Sequence, residues 1–224
     1  GGGINAGFKE VKSKFVLYLD VDVKLSDQSI ETLYKYAKKL ENFSIIGPKI
    51  KNLIYKNEYF VEKNVLPNVH SMNFITGCAL FFNMKVINSI GYFDDNIFLY
   101  YEENDIYLRS LKKNYKIFLV EDTEIEHLGN YSTDLIKKDE IEINRNWHLM
   151  WSTFYFHKKH FGIVKAYKKT IFKLISAALK FVIFTFLKKD FQKKIYLARM
   201  SGICNAMIGK RAWFRTNIDN IIDN

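Results

Sequence analysis

Residues 14–22 decide the fold class, and they read Lys-Phe-Val-Leu-Tyr-Leu-Asp-Val-Asp. An apolar run of strand length is followed directly by two carboxylates. Buried strands of α/β sheets are continuous apolar runs of this kind, and ligands collect at their carboxyl ends. We therefore predict a central strand here. Because side chains alternate along an extended chain, Asp20 and Asp22 should point the same way, with Val21 opposed.

The segments on the C-terminal side alternate between helix and strand. Ser26 or Asp27 can cap a helix that continues to about Glu41, with apolar residues at helical spacing. His127 is predicted to lie in a polar loop. Further strands are predicted at 43–48, where Gly-Pro ends the strand, at 74–82 and at 115–120, and further helices at 97–113 and 147–160. This pattern predicts an α/β protein.

The composition is that of a globular protein. Of 224 residues, 48% are hydrophobic and 26% are charged, which excludes disordered, collagen-like and disulfide-framework classes. Cys78 and Cys204 form no CxxC pair, so a zinc cluster is not indicated and a reducing, cytoplasmic compartment is expected. The longest apolar stretch, 171–187, contains two lysines and is shorter than the roughly 20 residues of a transmembrane helix.

The net charge of +10 is concentrated near the C-terminus. Residues 157–216 contain 15 lysines and arginines and a single acid, Asp190, whereas residues 1–156 contain 19 basic and 21 acidic residues. A basic zone suits nucleic acid, an anionic membrane surface or a solvated face. We therefore predict two domains, a core at 1–156 and a basic amphipathic helical extension at 157–224.

Within the extension, a helical wheel over residues 169–187 separates lysines from apolar residues. Lys169, Lys173 and Lys180 fall in one narrow arc, and four more lysines follow between 188 and 194. Such a helix fits the surface of anionic lipid, so we predict a peripheral location at the inner face of the cell membrane. The alternative is a core or dimer helix with snorkelling lysines. Nucleic acid is not an expected partner, because the sequence has no nucleic-acid-binding motif.

Carboxylates and one imidazole form the candidate chemical site. Asp20 and Asp22 offer hard oxygen ligands for Mg²⁺ or Mn²⁺, and His127 could complete the set. Glu102, Glu103 and Asp105 cluster at a predicted helix start, where like charges raise pKa values and one group could be a general base. The alternative is structural: acids after a strand often cap the next loop, and acids at a helix start favour the helix dipole.

The order of these motifs resembles the family 2 inverting glycosyltransferases of GT-A fold, especially the rhamnosyltransferase-like branch. The resemblance implies a Rossmann-like sheet that transfers sugar from a nucleotide-diphosphate donor and that here lacks its first strands. It extends over most of residues 1–160. The six matching segments, in order, are 2–7, 15–22, 76–79, 91–95, 101–109 and 127–132.

The resemblance also implies residue roles. Glu103 falls where the family has its catalytic aspartate, and Glu102 or Asp105 are the alternatives for the base. The implied metal ligands are Asp22, Asp20 and His127, the implied donor-binding residues are Gly3, Asn5, Asp20, Thr76 and Gly77, and the implied acceptor-binding residues are Asp94, Tyr101 and Arg109.

The implied function is transfer of a sugar, with inversion, to a glycan or lipid-linked acceptor in cell-surface polysaccharide synthesis. The family's strands that hold the nucleobase come before the segment matched at residues 2–7, so a chain that naturally begins at Gly1 is expected to need a partner or to be inactive. A homo-oligomer is a further open expectation. The alternative is a non-catalytic, membrane-associated binding or assembly subunit. A metal-dependent hydrolase is less favoured, because no second ligand cluster is visible.

Overall fold

The computed structural model describes residues 1–26, 28–128 and 138–215. Within these limits the chain divides into two compact units. The sheet unit comprises residues 2–94 and 103–132, and the helical unit comprises residues 95–102 and 133–224 together with Gly1. The predicted α/β sheet with a helical C-terminal part is confirmed.

The sheet unit contains strands and helices in alternation. The strands are β1 (Phe15–Leu19), β2 (Val23–Lys24), β3 (Phe43–Ile50), β4 (Phe60–Leu66), β5 (Val69–Met72), β6 (Ala79–Asn83) and β7 (Lys116–His127). The helices are α1 (Gly2–Glu10), α2 (Ser29–Lys39), α3 (Met84–Ile90) and α4 (Glu102–Lys112), with a 3₁₀ turn at Asn57–Tyr59.

The strands pair in the order β1-β6-β3-β7-β5-β4, and β2 pairs with the end of β7. Only β3 and β7 run parallel; the other pairs of described strands are antiparallel. The prediction that β1 is a central strand is wrong, since it is an edge strand that pairs with β6. Its apolar run has a different cause: Val16 and Tyr18 pack on one face of the sheet, and Phe15 and Leu17 pack on the other.

Helices cover both faces of the sheet. One face packs against α1, α3 and α4 through a core that includes Phe8, Phe82 and Ile106. The opposite face packs against α2 through Leu33 and Phe118. Neighbouring strand residues alternate between the two cores, which is the pattern of a sheet buried on both sides.

Two predicted element ends are wrong in this region. Strand β3 does not end at Gly47-Pro48 but continues to Ile50. The proline is tolerated because β6 pairs with β3 only at Ile45 and Ile46, so Pro48 bonds to β7 alone, and a register shift follows it. Helix α2 begins after Gln28, which makes no side-chain cap, so Ser26 is not the cap residue; Asp27 lies outside the described residues.

Three further elements differ from prediction in length. Strand β6 begins at Ala79, and residues 74–78 precede it as irregular chain. Helix α4 begins at Glu102 instead of residue 97, because Tyr100 and Tyr101 adopt φ values of 66° and 73°, which a helix cannot contain. Strand β7 extends to His127, so His127 ends a strand and does not lie in a loop.

The helical unit contains α5 (Lys138–Phe161), α6 (Ile163–Phe186) and α7 (Asp190–Met207). Connections of one and three residues make successive helices antiparallel. Helix α5 contributes aromatic side chains to their core, with Trp147 and Phe154 fully buried. Helix α7 contributes small residues, and Gly202 lies so close to α5 that an added Cβ would meet the carbonyl oxygen of Trp147 at 2.3 Å. The predicted helices at 147–160 and 169–187 are present within α5 and α6. No helix among the described residues has the length and apolar character needed to cross a bilayer.

Candidate functional site

Asp20, Asp22 and His127 meet at one edge of the sheet. The backbone N–H of Asp20 donates to the Cys78 carbonyl at 2.9 Å just after β1 ends. A tight turn then reverses the chain into β2, which pairs with the last residues of β7 and sets Val23 opposite His127. The backbone N–H of Leu128 closes this pairing by donating to the Asp22 carbonyl at 2.9 Å.

The three side chains are close enough to share one cation. One ligand atom from each lies within 4.8 Å of the others, and His127 Nε2 is 3.3 Å from Asp22 Oδ1. The predicted convergence of the two acids is present, although a turn, and not strand alternation, produces it. Val21 between them is 94% exposed.

The donor set fits a hard divalent cation. Two carboxylates and an imidazole are ligands that Mn²⁺ accepts readily, and Mg²⁺ suits the carboxylates. The Tyr18 hydroxyl donates to Asp20 Oδ1 at 2.5 Å and so orients this carboxylate. Ligand-orienting hydrogen bonds of this kind are typical of metal centres in proteins. When bound, such a cation would neutralise charge on a diphosphate.

Glu103 lies beside the segment that precedes β6. A Cβ placed on Gly77 would meet Glu103 Oε1 at 2.3 Å, so the carboxylate packs directly on the glycine backbone. Burial, followed by the charge of Asp20, raises the pKa of Glu103 above its ordinary value. The sequence-predicted base is thus a desolvated carboxylate that lies in the electrostatic field of a predicted metal ligand.

Aromatic and thiol groups line the inner side of this site. The hydroxyl of Tyr107, one turn after Glu103 on α4, is buried without a hydrogen-bond partner among the described residues, and burial raises its pKa well above 10. The hydroxyl of Tyr55 accepts a bond from the backbone N–H of Thr76 at 3.4 Å. Burial and the charges of the two aspartates raise the pKa of the Cys78 thiol to about 11, so this thiol stays protonated at neutral pH.

Asp105 and Arg109, predicted as an alternative base and as an acceptor-binding residue, bond to each other and to the backbone of the loop after α3. Asp105 is fully buried and accepts from Arg109 Nε at 2.8 Å. The remaining guanidinium donors bond the carbonyls of Ile90, Gly91 and Tyr92 at 2.6–2.8 Å. The pair therefore ties α4 to the loop after α3.

Two residues predicted to bind the donor lie on α1. Asn5 is 4% exposed, and its amide both donates to the Phe93 carbonyl at 2.8 Å and accepts from the Phe93 N–H at 3.0 Å. These bonds give it a role in holding α1 to the loop after α3. Gly3 is exposed on the same helix, with open space around its α-carbon.

The other predicted residues lie close in sequence to the points where the chain passes from one unit to the other. The ring of Tyr101 belongs to the helical unit, where it packs 4.9 Å from the ring of Phe156. Glu102 begins α4, and Asp94 is half-buried in the loop after α3. The residues that the structure gathers at the site are thus Asp20, Asp22, His127, Gly77, Thr76 and Glu103. Sequence reasoning missed Tyr18, Tyr55 and Tyr107, for which no motif gives a signal.

Comparison with known proteins identifies one curated relative. No family model matches the chain. The low-salt glycan biosynthesis hexosyltransferase Agl10 of Haloferax volcanii is 29% identical over an alignment of 136 residues, which covers 52% of this chain and 44% of the relative. The chain therefore spans less than half the length of the relative that it matches.

A similar solved structure is the crystal structure of GalNAc-T7 with UDP, GalNAc and Mn²⁺. It is 12% identical, with a TM-score of 0.47, and the match covers 83% of this chain and 44% of that chain.

Proposed function

We propose that the chain belongs to a metal-dependent GT-A glycosyltransferase that transfers a sugar from a nucleotide-diphosphate donor to a glycan or lipid-linked acceptor. The observation that carries the proposal is the convergence of Asp20, Asp22 and His127 at the end of β1, next to Glu103. The similarity to a hexosyltransferase of glycan biosynthesis supports the same class of reaction. Cell-surface polysaccharide synthesis, and membership of family 2 or its rhamnosyltransferase-like branch, are finer parts of the proposal.

The reaction would proceed with inversion at the anomeric carbon. Glu103 would take the proton of the acceptor hydroxyl while the hydroxyl oxygen forms a bond to the anomeric carbon. The bond between the anomeric carbon and the diphosphate oxygen breaks in the same step. A desolvated carboxylate suits this role, because a raised pKa makes it a better proton acceptor near neutral pH. Asp20, Asp22 and His127 would hold Mn²⁺ or Mg²⁺, which stabilises the departing diphosphate.

The experiment that tests the metal site is Mn²⁺ binding followed by electron paramagnetic resonance. Asp22→Asn and His127→Ala should each weaken binding about tenfold or more, because loss of an outer-shell partner alone costs a metal site about 10- to 100-fold. Glu41→Gln is the matched control. It removes an exposed carboxylate next to the start of β3, which pairs with the opposite end of β7 from His127.

Binding of nucleoside diphosphates then distinguishes an active glycosyltransferase from the alternative, a non-catalytic subunit. With Mn²⁺ present, one of UDP, GDP, dTDP, CDP or ADP should raise the melting temperature of the full-length protein. Asp22→Asn should abolish the increase. Mn²⁺ binding without any nucleotide response in the complete polypeptide would contradict transfer and favour a non-catalytic subunit.

Membrane association at the cytoplasmic face is the second part of the proposal. On α6 the side chains of Phe172, Leu179 and Phe186 are 78%, 61% and 83% exposed and recur every seven residues, so they form one stripe. Lys168 lies one turn before Phe172 on the same side of the helix, and Lys188 follows the end of the stripe. An exposed apolar stripe with flanking cations fits insertion into anionic lipid.

A further inference from the structure

A cavity of about 380 Å³ in the helical unit is lined by four cations and two aromatic rings. The cations are Lys158 and Lys159 at the end of α5, and Lys210 and Arg211 just after α7; the rings belong to Trp151 and Tyr155. None of the lining residues within the described part of the chain is acidic. All the lining residues belong to the helical unit, and none of them takes part in the proposed transfer.

The local charge is positive even after the opposing charges are counted. The ends of α5 and α7 each contribute about half a negative charge through their free carbonyls. Asp95 lines an adjoining cavity that shares Arg211 and contributes one more. Even without Arg215, a further cation on that adjoining cavity, four cations against about two negative charges leave an excess of about two positive charges, enough to balance a phosphate group.

The backbone that presents two of these cations is fixed. The buried ring of Trp151 donates from Nε1 to the Lys210 carbonyl at 2.9 Å, and the Lys210 N–H donates to the Asn205 carbonyl at 2.9 Å. Gly209 supplies the left-handed turn, with φ of 75°, that reverses the chain after α7. Trp151 and Tyr155 stack with ring centroids 4.8 Å apart, which gives the cavity a rigid wall.

We propose that this cavity binds a phosphate group. Arg211 offers a planar fork that matches two phosphate oxygens, and the lysines add point charges around it. The phosphate could belong to a soluble phosphate compound or to a lipid headgroup, because both present the same dianionic oxygens. The proposal concerns the helical unit and stands whether or not the sheet unit transfers sugar.

The test measures binding of inorganic pyrophosphate by calorimetry in the presence of EDTA, so that no metal at the carboxylate site contributes. The variant Lys210→Gln/Arg211→Gln should bind about tenfold or more weakly, since it removes the guanidinium fork and one ammonium, two of the four cations that line the cavity. The matched control is Lys193→Gln/Lys194→Gln, which removes the same charge at the start of α7, outside the cavity. All four side chains are surface groups, and equal melting temperatures would verify folding.

Vesicles distinguish the two sources of phosphate. Vesicles of phosphatidylcholine with phosphatidic acid are compared with vesicles containing the same mole fraction of phosphatidylserine. One outcome is that the protein prefers vesicles with phosphatidic acid, that pyrophosphate competes with this binding, and that only the cavity variant loses it. This outcome assigns the site to a lipid headgroup. Pyrophosphate binding without that preference assigns it to a soluble phosphate compound. Equal affinities of the cavity variant and the control for both probes, or no binding of either probe by the wild type, would overturn the proposal.

Discussion

At the scale of single residues, the site depends on close approach as much as on charge. Gly77 has no side chain, so the carboxylate of Glu103 lies against its α-carbon, and a methyl group there would displace it. The same contact removes the carboxylate from water, which raises its pKa. Glu103 is therefore held in a position that favours its neutral form. Strained or desolvated groups of this kind are typical of functional sites.

This desolvation predicts a pH-dependent gain in stability for Glu103→Gln. Glu103 has a higher pKa in the folded state than in the unfolded state, where it is about 4.3. The carboxyl group therefore makes its full contribution to stability at pH values below about 4.3, and this contribution is lost as the pH rises through the folded-state pKa. The free energy of unfolding of the variant should therefore match the wild type near pH 3.5 and exceed it increasingly toward pH 8. Urea unfolding in the presence of EDTA measures this difference.

Glu41→Gln is again the control for this measurement, because Glu41 is exposed. Its free energy of unfolding relative to the wild type should show no comparable rise with pH. If the difference in free energy of unfolding between Glu103→Gln and the wild type stays constant from pH 3.5 to pH 8, ionisation of the buried carboxylate does not destabilise the fold, and the prediction is wrong.

At the scale of elements, Asp105 and Arg109 form a clamp that ties α4 to the loop after α3. Asp105 and Arg109 lie one turn apart on α4, and the guanidinium also satisfies three successive carbonyls. Because Asp105 is fully buried, it requires its cation. The sequence match implies a role in the reaction for both residues, and the structure shows in addition that they hold α4 to this loop.

Arg109→Met should destabilise the protein by about 3 kcal/mol or more, since it leaves a buried carboxylate without its cation and three carbonyls without these donors. Lys113→Met is the matched control, because Lys113 on the same region of chain donates to the Ser89 carbonyl at 2.8 Å on the exposed surface. Its loss should cost less than about 1 kcal/mol. Chemical denaturation compares the two, and similar small losses in both would contradict the clamp.

The elements also show how much of the fold is readable from sequence. The apolar runs of β1 and β7 and the periodicity of α2 and α6 identify these elements, because burial of a face leaves a local pattern. The contacts that build the site are not local. The two-residue strand β2, which brings His127 to Asp22, is too short to have a pattern, and β4 has mostly exposed residues.

Exceptions to local rules account for the remaining differences. Pro48 is accepted within β3 because proline has no N–H to donate, and β6 pairs with β3 only at Ile45 and Ile46, so no strand on that side needs a donor at position 48. Tyr100 adopts a positive φ in spite of its bulk, and so delays the start of α4. For the candidate site, the sequence analysis grouped Asp20, Asp22 and His127, and the structure brings these three side chains together. The internal bonds of Asn5 and Arg109 could not be foreseen, because they depend on loops that meet only in the folded chain.

At the scale of the whole molecule, charge and chemistry are divided between the two units. The carboxylate site lies in the sheet unit, whereas the excess of positive charge lies in residues 157–216. On α6 the buried residues are small, with Ala166, Thr170 and Ala177 facing the neighbouring helices. Most of the large apolar residues of α6 are exposed instead, among them Phe172, Leu179 and Phe186. A helix that packs through its small side chains and exposes its large ones is arranged to bind a second apolar medium.

We therefore expect the protein to bind vesicles that contain anionic lipid, with binding that increases with the anionic fraction and weakens with salt. The variant Phe172→Ser/Leu179→Ser/Phe186→Ser should lose roughly 3 kcal/mol of binding, or about a hundredfold, since each such side chain contributes about 1.5–3 kcal/mol when fully buried and is only partly inserted here. Cosedimentation with phosphatidylglycerol vesicles measures the partition coefficient.

The matched control for the stripe is Ile54→Ser/Val61→Ser, which replaces two apolar residues of the sheet unit that are 91% and 62% exposed. It should bind vesicles as the wild type does, because exposure alone does not create a membrane surface without the flanking lysines of α6. Two outcomes would contradict lipid as the occupant. One is equal binding to neutral and anionic vesicles. The other is a wild-type dimer that the stripe variant converts to monomer without any change in vesicle binding, since the stripe would then be covered by a second copy of the chain.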